Sequence, residues 1–323
     1  MKVSIITTVK NEGEGLRSLL DSLKNQTRIP DEVVICDGGS IDNTLAILET
    51  YQETIPLKIL VAPGSNISQG RNLAIAQAEG PIIASTDGGN VLDSEWLSQI
   101  VRPIEEEGAP AVSGWFEPDP NTDFEVVLGA TVLPDISDID PDLFLPSSRS
   151  IAFLKRSWAS VGGYPEWLDY GEDLIFDLAL RREYGPFPFA SSAVAYFRPR
   201  GNLHAFARQY YLYARGDGKA NLWPRRHAIR YLIYLIGLPL IGGLIWRGRM
   251  FGWILLFLGA TSYCCRPIQR LWPLTKSWRP RRRAYALALI PVIRLIGDLA
   301  KMAGYPAGLL WRWQRRRQKH NSR

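Results

Sequence analysis

Carboxylate and amide side chains follow short apolar runs directly at three places in this chain: Asn11 with Glu12, Asp37, and Asp87. An ionised Asp at the tip of a buried strand accepts hydrogen bonds from a base N–H or a ribose hydroxyl, and it also suits a metal ion. Gly88 and Gly89 come next to Asp87 and leave space for a phosphate or a metal ion to approach. A plain polar turn would have the same residues, so this stretch alone leaves both interpretations open.

A second acidic feature stands at the start of a later apolar pattern. Glu172 and Asp173 follow Gly171 and precede apolar residues at helical spacing. Carboxylates in the first helical turn are favoured by the helix dipole, so they should stay ionised at neutral pH. An ionised carboxylate at a crevice can act as a general base toward an attacking hydroxyl. The dipole preference alone would also explain the pair.

The front half of the chain alternates strand-like and helix-like patterns. Strands are predicted at residues 3–9, 32–36, 57–61 and 82–84, and helices start near Leu16, Leu45 and Ile67. This alternation predicts an α/β fold with a mainly parallel sheet covered by helices on both faces. The acidic loops then lie at the carboxyl ends of the strands, where open α/β sheets bind ligands. The first strand is not followed by GxGxxG, and GxxxxGK[ST] is absent, so a nucleotide would be held in another way.

The order of these motifs resembles one known family. The segments VSIITTVKNEGEGLRSLLDSLKNQ, VVICDGGSIDNT and SQGRNLAIAQAEGPIIASTDGGNVLDSEWL are similar to the donor-binding half of family-2 glycosyltransferases, which have the GT-A (Rossmann-like) fold. The resemblance covers residues 1–220 and implies a nucleotide-sugar half over 1–110 and an acceptor half over 111–220. It also implies an inverting enzyme that uses a nucleoside-diphosphate-sugar donor.

The resemblance assigns roles to several side chains of the front half. It implies that Asp37 contacts the nucleotide base and that Arg71 and Asn72 lie near the donor. Asn11 and Glu12, in the first loop, complete the predicted donor-binding set.

The metal site is where the sequence departs from the family pattern. The Asp-x-Asp motif, which binds the donor ribose and the metal on the diphosphate, falls on Asp87-Gly88-Gly89, so a glycine replaces its second Asp. Mg²⁺ and Mn²⁺ prefer carboxylate and phosphate oxygens. A divalent cation remains the expected cofactor, held by Asp87 with the diphosphate and water, or with Asn90 or Asp93 in the place of the missing carboxylate.

The same resemblance gives the Glu172-Asp173 pair its function. In the family the Glu-Asp motif supplies the general base of inverting transfer, and its Asp matches Asp173. The segment RQYYLYARGDGKAN resembles one in which an Arg-Gly pair follows a Gln and aromatic residues, which implies that Gln209 and Arg215 contact the diphosphate. An amphipathic helix that lies on the membrane with a basic face would explain the segment equally well. Residues 114–148 are rich in Pro and Asp and are predicted to form irregular loops on the acceptor side.

The charge of the chain is divided sharply between its two parts. Residues 1–197 carry 13 of the 38 Lys and Arg and 30 of the 32 Asp and Glu, so the remainder carries 25 basic and 2 acidic residues. The basic residues of the second part flank apolar runs, which favours a membrane surface over nucleic acid as the partner. No signal-peptide core precedes the first strand, so the front domain is expected in the cytoplasm.

Two uncharged runs, 231–246 and 251–265, predict a transmembrane hairpin over 231–265, with a buried core hairpin as the alternative. Arginines before it and seven basic residues over 266–283 agree with both ends in the cytoplasm, at the inner or plasma membrane. Within the membrane-associated region 221–314, the segment 284–313 is interrupted by charges and is predicted to lie at the interface. The basic tail 315–323 is predicted to be disordered.

The sequence therefore predicts a membrane-anchored inverting glycosyltransferase acting on a lipid-linked or polysaccharide acceptor. Two alternatives stay open. A sugar-1-phosphate nucleotidyltransferase shares a similar sheet but would need a glycine-rich basic loop where Lys10-Asn11-Glu12 stands. A membrane-bound nucleotide-sugar sensor without transfer activity is compatible with Gly89.

Overall fold

The structure is a computed structural model that describes the backbone of residues 1–321 and the side chains through residue 318. The eight strands are β1 Val3–Val9, β2 Glu32–Asp37, β3 Leu57–Val61, β4 Ile82–Ser85, β5 Asn90–Leu92, β6 Ala111–Pro118, β7 Ile151–Leu154 and β8 Phe189–Phe197. The α-helices are α1 Leu16–Lys24, α2 Thr44–Tyr51, α3 Ile67–Gln77, α4 Trp96–Glu107, α5 Asp123–Val132, α6 Lys155–Ser160, α7 Glu172–Tyr184, α8 Leu203–Ala220, α9 Pro224–Leu232, α10 Leu238–Trp246, α11 Met250–Leu274 and α12 Pro280–Asn321. A π-helical turn, Ile233–Gly237, joins α9 to α10.

The chain divides into two compact units. The first comprises residues 1–119 and 136–198, and the second comprises residues 120–135 and 199–323. All eight strands belong to the first unit, in one sheet of order β3-β2-β1-β4-β7-β6-β8-β5. The pairs from β3 to β4 are parallel, whereas β7 is antiparallel to both β4 and β6.

The sheet is buried on both faces, as its sequence requires. Strand β1 (VSIITTV) is rich in β-branched residues and is buried along nearly its whole length. Side chains that alternate along the strands enter two separate hydrophobic cores, one containing α1, α2 and α4 and the other containing α3 and α7. The predicted α/β fold with helices on both faces is therefore confirmed, with a sheet that is mixed beyond β4.

The prediction of irregular loops over residues 114–148 is wrong for much of that stretch. It contains the end of β6, all of α5 and a short 3-10 turn at Ile136–Asp138. The Asp and Pro residues lie at the ends of these elements, and Thr122 caps α5 by accepting the Glu125 N–H at 3.3 Å. The composition of the whole stretch therefore did not predict the short strand and helix segments that lie between the Asp and Pro residues.

In the second unit α8 and α12 pack with their backbones almost in contact. A Cβ added to Gly308 would meet the Arg215 carbonyl oxygen at 2.1 Å, and one on Gly304 would meet the Tyr211 carbonyl oxygen at 2.2 Å. The spacing of Gly304 and Gly308 is GxxxG, which permits such close helix packing. Gly218 of α8 makes the reciprocal approach, with the Tyr305 carbonyl oxygen 2.3 Å from its added Cβ.

Among the described residues of the second unit, two helical segments are long and apolar enough to cross a membrane. They are Pro224–Trp246, with 23 residues, and Met250–Leu274, with 25 residues, and little of their most apolar windows is buried. Large apolar side chains such as Leu235 and Phe257 are about two-thirds exposed, at 65% and 69%. The helices are longer than the uncharged runs because Arg225, Arg226 and other charged residues at their ends are also helical.

Helix α12 contains the segment 284–313 and packs by one face within the second unit. Its Ala286, Ile290 and Ile293 are buried together with side chains of α5 and α8. The prediction of a disordered tail from residue 315 is wrong for the described part, because α12 continues to Asn321. Arginine side chains that lie over tryptophan rings one turn earlier support this extension. The last two residues of the predicted tail lie outside the described residues.

Candidate active site

Three predicted site residues meet in one buried ion cluster in the first unit. The guanidinium of Arg71 donates to the Asp87 carboxylate through Nη2 at 2.7 Å and to the Glu172 carboxylate through Nη1 at 2.7 Å. The Arg71 side chain is only 2% exposed, and that of Glu172 is 7% exposed, whereas Asp87 is 30% exposed. Arg71 thus joins the donor-motif aspartate to the start of α7.

The position of Arg71 follows from the way α3 is held on the sheet. Asn66 and Gln69 form a capping box that fixes the first turn of α3. Gly70 then lets the helix approach β1 closely, because a Cβ at that position would lie 2.6 Å from Thr8 Cγ2. Arg71 follows on the inner side of the helix and enters the space between β4 and α7.

The charges of this cluster depend on one another. Burial and, to a smaller extent, the charge of the adjacent Asp173 raise the pKa of Glu172, and Arg71 opposes them, so that this pKa is about 7. Burial and the charge of Asp173 also raise the pKa of Asp177, one turn along α7, and favour its neutral form. Burial would lower the pKa of Arg71, but Asp87 and Glu172 outweigh it and raise that pKa, so Arg71 stays charged.

Asp173 differs from Glu172 in its surroundings. It is half-buried in the first turn of α7, and its Oδ1 accepts the Leu174 N–H at 2.8 Å. Gly171, at φ +77°, supplies the left-handed residue that starts the helix. Glu172 was predicted together with Asp173 as a catalytic group, but its carboxylate is bound to Arg71. The geometry therefore favours Asp173 of the two as the proton acceptor, which stays a prediction.

Asp37 ends β2, as predicted, and its side chain is fully buried. Its carboxylate accepts the N–H groups of Gly39 and Ser40 at 3.0 and 2.9 Å and also the Ser40 hydroxyl. The Ser40 oxygen in turn accepts the Asn11 N–H at 2.8 Å. Asp37 and Asn11 therefore brace one loop at the carboxyl ends of β1 and β2. Base contact by Asp37 stays a prediction.

Glu12 connects this loop to the donor motif. A Cβ added to Gly88 would lie 3.3 Å from Glu12 Cγ, and one added to Gly89 would lie 4.0 Å from Glu12 Oε2. The Glu12 carboxylate thus lies against the two glycines that follow Asp87. The Asp37 loop, Glu12, Asp87 and the start of α7 consequently form one continuous set of contacts.

The two residues predicted as substitutes for the missing carboxylate have other partners. The Asn90 amide is buried and donates to Thr86 Oγ1 at 3.0 Å. Asp93 Oδ1 accepts the Glu95 N–H at 2.9 Å just before α4. Both side chains thus make local hydrogen bonds, their role as metal ligands stays a prediction, and Glu12 is the acidic side chain beside Gly89.

Asn72 and Arg215, which were also predicted to lie near the donor, both pack against other parts of the protein. Asn72 holds the loop before α7: its Nδ2 donates to the Tyr164 carbonyl at 2.9 Å and to Glu166 at 3.0 Å, and its Oδ1 accepts the Trp158 ring N–H at 3.0 Å. These bonds favour a structural role for Asn72 over contact with the donor. Arg215 belongs to the second unit, on the part of α8 that packs against α12. Its predicted role is not tested.

The structure adds one residue that sequence analysis did not find. Arg149 Nε lies 3.7 Å from Asp87 Oδ2, and its guanidinium lies over the Phe197 ring at 4.5 Å and farther, at 6.0 Å, from that of Phe116. It stands in the polar sequence PSSRS between two elements, where no motif distinguishes it. Only the antiparallel placement of β7 beside β4 brings it to Asp87.

A divalent cation at Asp87 would have two carboxylates and the diphosphate as ligands. Among residues 1–318, no group of three or more His, Cys, Asp or Glu side chains is arranged to hold a metal ion. Metal sites on nucleotide phosphates commonly use only one or two carboxylates, because phosphate oxygens and water complete the octahedron. Asp87 Oδ2 and the Glu12 carboxylate beside Gly89 fit that smaller requirement.

Comparison with known sequences identifies relatives of the first unit. The family model "Glycosyl transferase family 2" matches residues 4–146. A chondroitin synthase of Pasteurella multocida (strain Pm70) is 25% identical over 187 residues, which are 57% of this chain and 19% of that protein. The chain therefore spans about a fifth of the length of that relative.

Comparison with solved structures supports the GT-A-like fold. The S. aureus TarS 1–349 structure in complex with UDP-GlcNAc has a TM-score of 0.53 at 18% identity and covers 95% of this chain and 91% of TarS 1–349. The mannosyltransferase PcManGT from Pyrobaculum calidifontis, in complex with GDP-Man and Mn²⁺, has a TM-score of 0.60 at 18% identity and covers 93% and 87% of the two chains. At these identities the likeness concerns the fold alone.

Proposed function

We propose that this chain, whose residues 4–146 match the model of glycosyl transferase family 2, transfers a sugar from a nucleoside-diphosphate sugar to a lipid-linked or polysaccharide acceptor, with inversion. The observation that carries the proposal is the Asp87–Arg71–Glu172 ion cluster, which joins the donor motif to the first turn of α7. Donor site and proton acceptor are thereby held by one set of contacts.

Asp173 is the proposed general base. In the reaction the acceptor hydroxyl oxygen forms a bond to the anomeric carbon while the bond from that carbon to the diphosphate oxygen breaks. The hydroxyl proton passes to the Asp173 carboxylate, and the bonding electrons leave with the diphosphate. Asp173 suits this role because it is half-buried and stands next to the donor motif through Glu172.

Arg71 acts by positioning in this scheme. Both of its Nη atoms are bound to carboxylates inside the protein, so it orients Asp87 rather than contacting the diphosphate. Asp87 then presents its other oxygen to the donor. Asp37 and Asn11 keep the neighbouring loop in the shape that would receive the base.

Asp87 and Glu12 would hold the divalent cation. Such a cation would neutralise charge on the diphosphate as it leaves. The fit rests on Glu12 lying beside Gly89, where the family pattern has its second carboxylate. The PcManGT complex, which contains Mn²⁺ with GDP-Man, supports Mn²⁺ as the first metal to test.

The decisive experiment compares wild-type protein with D173N. Purified protein is incubated with a panel of nucleotide sugars and Mn²⁺ or Mg²⁺, and release of the nucleoside diphosphate is measured. We expect D173N to lose at least a hundredfold in turnover while binding the same nucleotide with unchanged affinity, since a general base contributes about 10²–10⁴-fold. Equal behaviour of both proteins would favour the sensor alternative, which Gly89 keeps open.

We also propose that residues 224–274 anchor the enzyme in the cell membrane as a hairpin, with the catalytic unit in the cytoplasm. The lengths of the two helices suit the roughly 30 Å hydrocarbon core. Arg247 and Arg249 in the turn are few beside the basic residues that flank the hairpin, which favours both ends on the cytoplasmic side.

This topology can be tested in a variant whose native cysteines are replaced by serine. The cells are treated so that a membrane-impermeant maleimide reaches the outer face of the inner membrane, which itself stays intact. In these cells we expect the maleimide to react with G248C, whereas S191C should react only after the cells are lysed. Both positions reacting only after lysis would contradict a hairpin that spans the membrane.

A further inference from the structure

The surroundings of Arg149 are those of an anion-binding side chain. Its guanidinium lies over the Phe197 ring at 4.5 Å, and its Nε is 3.7 Å from the Asp87 carboxylate. The side chain is 23% exposed, so it is sheltered but reachable. An arginine stacked on an aromatic ring keeps its N–H donors in the guanidinium plane, where they can bind oxygens in pairs.

Arg71 is not placed to present its guanidinium to the donor. Arg71 is 2% exposed and its two Nη atoms are bound to Asp87 and Glu172. Arg149 approaches Asp87 from the other carboxylate oxygen, and its distance of 3.7 Å is that of an ion pair rather than a hydrogen bond. The two arginines therefore have different tasks, and the one nearer to solvent is Arg149.

We propose that Arg149 binds the diphosphate of the nucleotide-sugar donor and stabilises the negative charge that the diphosphate gains as the bond to the sugar breaks. This inference rests on the proposed function. The side chain forms no covalent bond; it donates charge-assisted hydrogen bonds to phosphate oxygens. Contact with the Phe197 ring restricts the guanidinium, so its N–H groups are partly oriented before the nucleotide sugar binds.

The test measures binding rather than turnover. The full chain in detergent is titrated by calorimetry with UDP and GDP, and with uridine and guanosine as probes that lack phosphate, in Mn²⁺ and in EDTA. For R149Q we expect the affinity for whichever of UDP and GDP the wild type binds to fall about 10- to 100-fold. This is the loss expected when a hydrogen bond between charged groups is removed. Binding of the corresponding nucleoside should not change, and the difference should shrink at high salt.

The matched control is R156Q, which removes the same charge from an exposed position on α6. It should bind the diphosphate as wild type does. R149K retains the charge but not the planar face, so its affinity should lie between those of wild type and R149Q. R149K also decides the question if R149Q fails to fold.

The outcomes separate this inference from the proposed function. If wild type binds UDP or GDP and R149Q binds it within twofold of wild type, Arg149 does not contact the diphosphate and the inference is wrong. A loss that affects the nucleoside as much as the diphosphate also overturns it. If wild type binds neither UDP nor GDP, the proposed donor site itself fails, and the role of Arg149 fails with it.

Discussion

Arg71 and Glu172 are separated by 101 positions in sequence and joined by a hydrogen bond of 2.7 Å between two almost fully buried side chains. The bond connects α3, which follows the third strand, to α7, which carries the proposed base. With Asp87 on its other side, Arg71 is the central member of a buried ion triad. Such a triad constrains geometry more than it stabilises the fold, because burying each charge costs free energy.

The first prediction concerns the loss of this central charge. R71M leaves Asp87 and Glu172 without their shared partner, and removal of one partner from a buried pair costs about 3–5 kcal/mol. We expect a clearly lower thermal unfolding midpoint and loss of nucleotide binding. R17M, which removes an exposed arginine bound to Glu14, is the matched control and should change the midpoint little.

The second prediction follows from the raised pKa of Glu172. Between its ordinary pKa of 4.5 and about 7, the folded state binds more protons at this group than the unfolded state does. The unfolding free energy therefore falls as pH rises through this window, by about 3 kcal/mol for the whole shift. We expect E172Q to remove this part of the pH dependence when unfolding is measured from pH 4.5 to 8.

The control for that measurement is E117Q, a substitution of an exposed glutamate at the end of β6, which should leave the slope of wild type unchanged. The raised pKa of Asp177 also makes the unfolding free energy fall as pH rises. E172Q should therefore reduce the pH dependence of the unfolding free energy without abolishing it. An E172Q curve parallel to that of wild type would show that folding does not raise the pKa of Glu172.

The third prediction concerns the glycines beside Glu12. A Cβ at Gly88 would lie 3.0 Å from Val9 Cγ1 and 3.3 Å from Glu12 Cγ, so G88A should displace the Glu12 carboxylate. A Cβ at Gly89 meets nothing closer than 4.0 Å, which makes G89A the matched control. If Glu12 helps to hold the cation, G88A and E12Q should each weaken Mn²⁺-supported UDP or GDP binding about tenfold.

The readout is the ratio of nucleotide affinities in Mn²⁺ and in EDTA. It should fall toward one in E12Q and G88A and stay at the wild-type value in G89A. A wild-type ratio of one would mean that binding does not use the metal, and the ligand role of Glu12 would be wrong. Recovery of the ratio in the double variant E12Q/G89D would support a carboxylate requirement at this place.

The fourth prediction concerns the helix contact of the second unit. G308A places a methyl group 2.1 Å from the Arg215 carbonyl oxygen, so α8 and α12 must separate. We expect a loss of about 2 kcal/mol or more, measured as the thermal unfolding midpoint in detergent. G259A is the control, because nothing lies within 4 Å of a Cβ on Gly259 in α11. Equal midpoints for the two variants would contradict the close packing.

The parts of the site that sequence analysis could predict are those set by local chemistry. Asp37 and Asp87 follow β-branched runs, and Glu172 and Asp173 begin an amphipathic pattern, so their elements could be predicted from neighbours within a few residues. The partners of Arg71 could not be predicted in this way, because they depend on the close approach that Gly70 permits between α3 and β1. Its predicted position near the donor stays a prediction, and its side chain is buried between Asp87 and Glu172.

Arg149 and Glu12 show a second limit. The nearness of Arg149 to Asp87 depends on the antiparallel pairing of β7 with β4, which no pattern in either strand specifies. Likewise, Gly89 suggests a missing ligand when only the motif is considered. The fold brings the Glu12 carboxylate to the same place from a loop 77 positions earlier in the chain.

The contact of α8 with α12 has a consequence for synthesis of the chain. Gly218 leaves the ribosome long before Gly304 and Gly308, with the whole apolar pair of helices 224–274 made in between. The surface of α8 that packs against α12 therefore stays exposed until α12 emerges. In a truncated chain that ends before Pro280 this surface of α8 would stay exposed. We expect quality-control proteases to degrade such a chain.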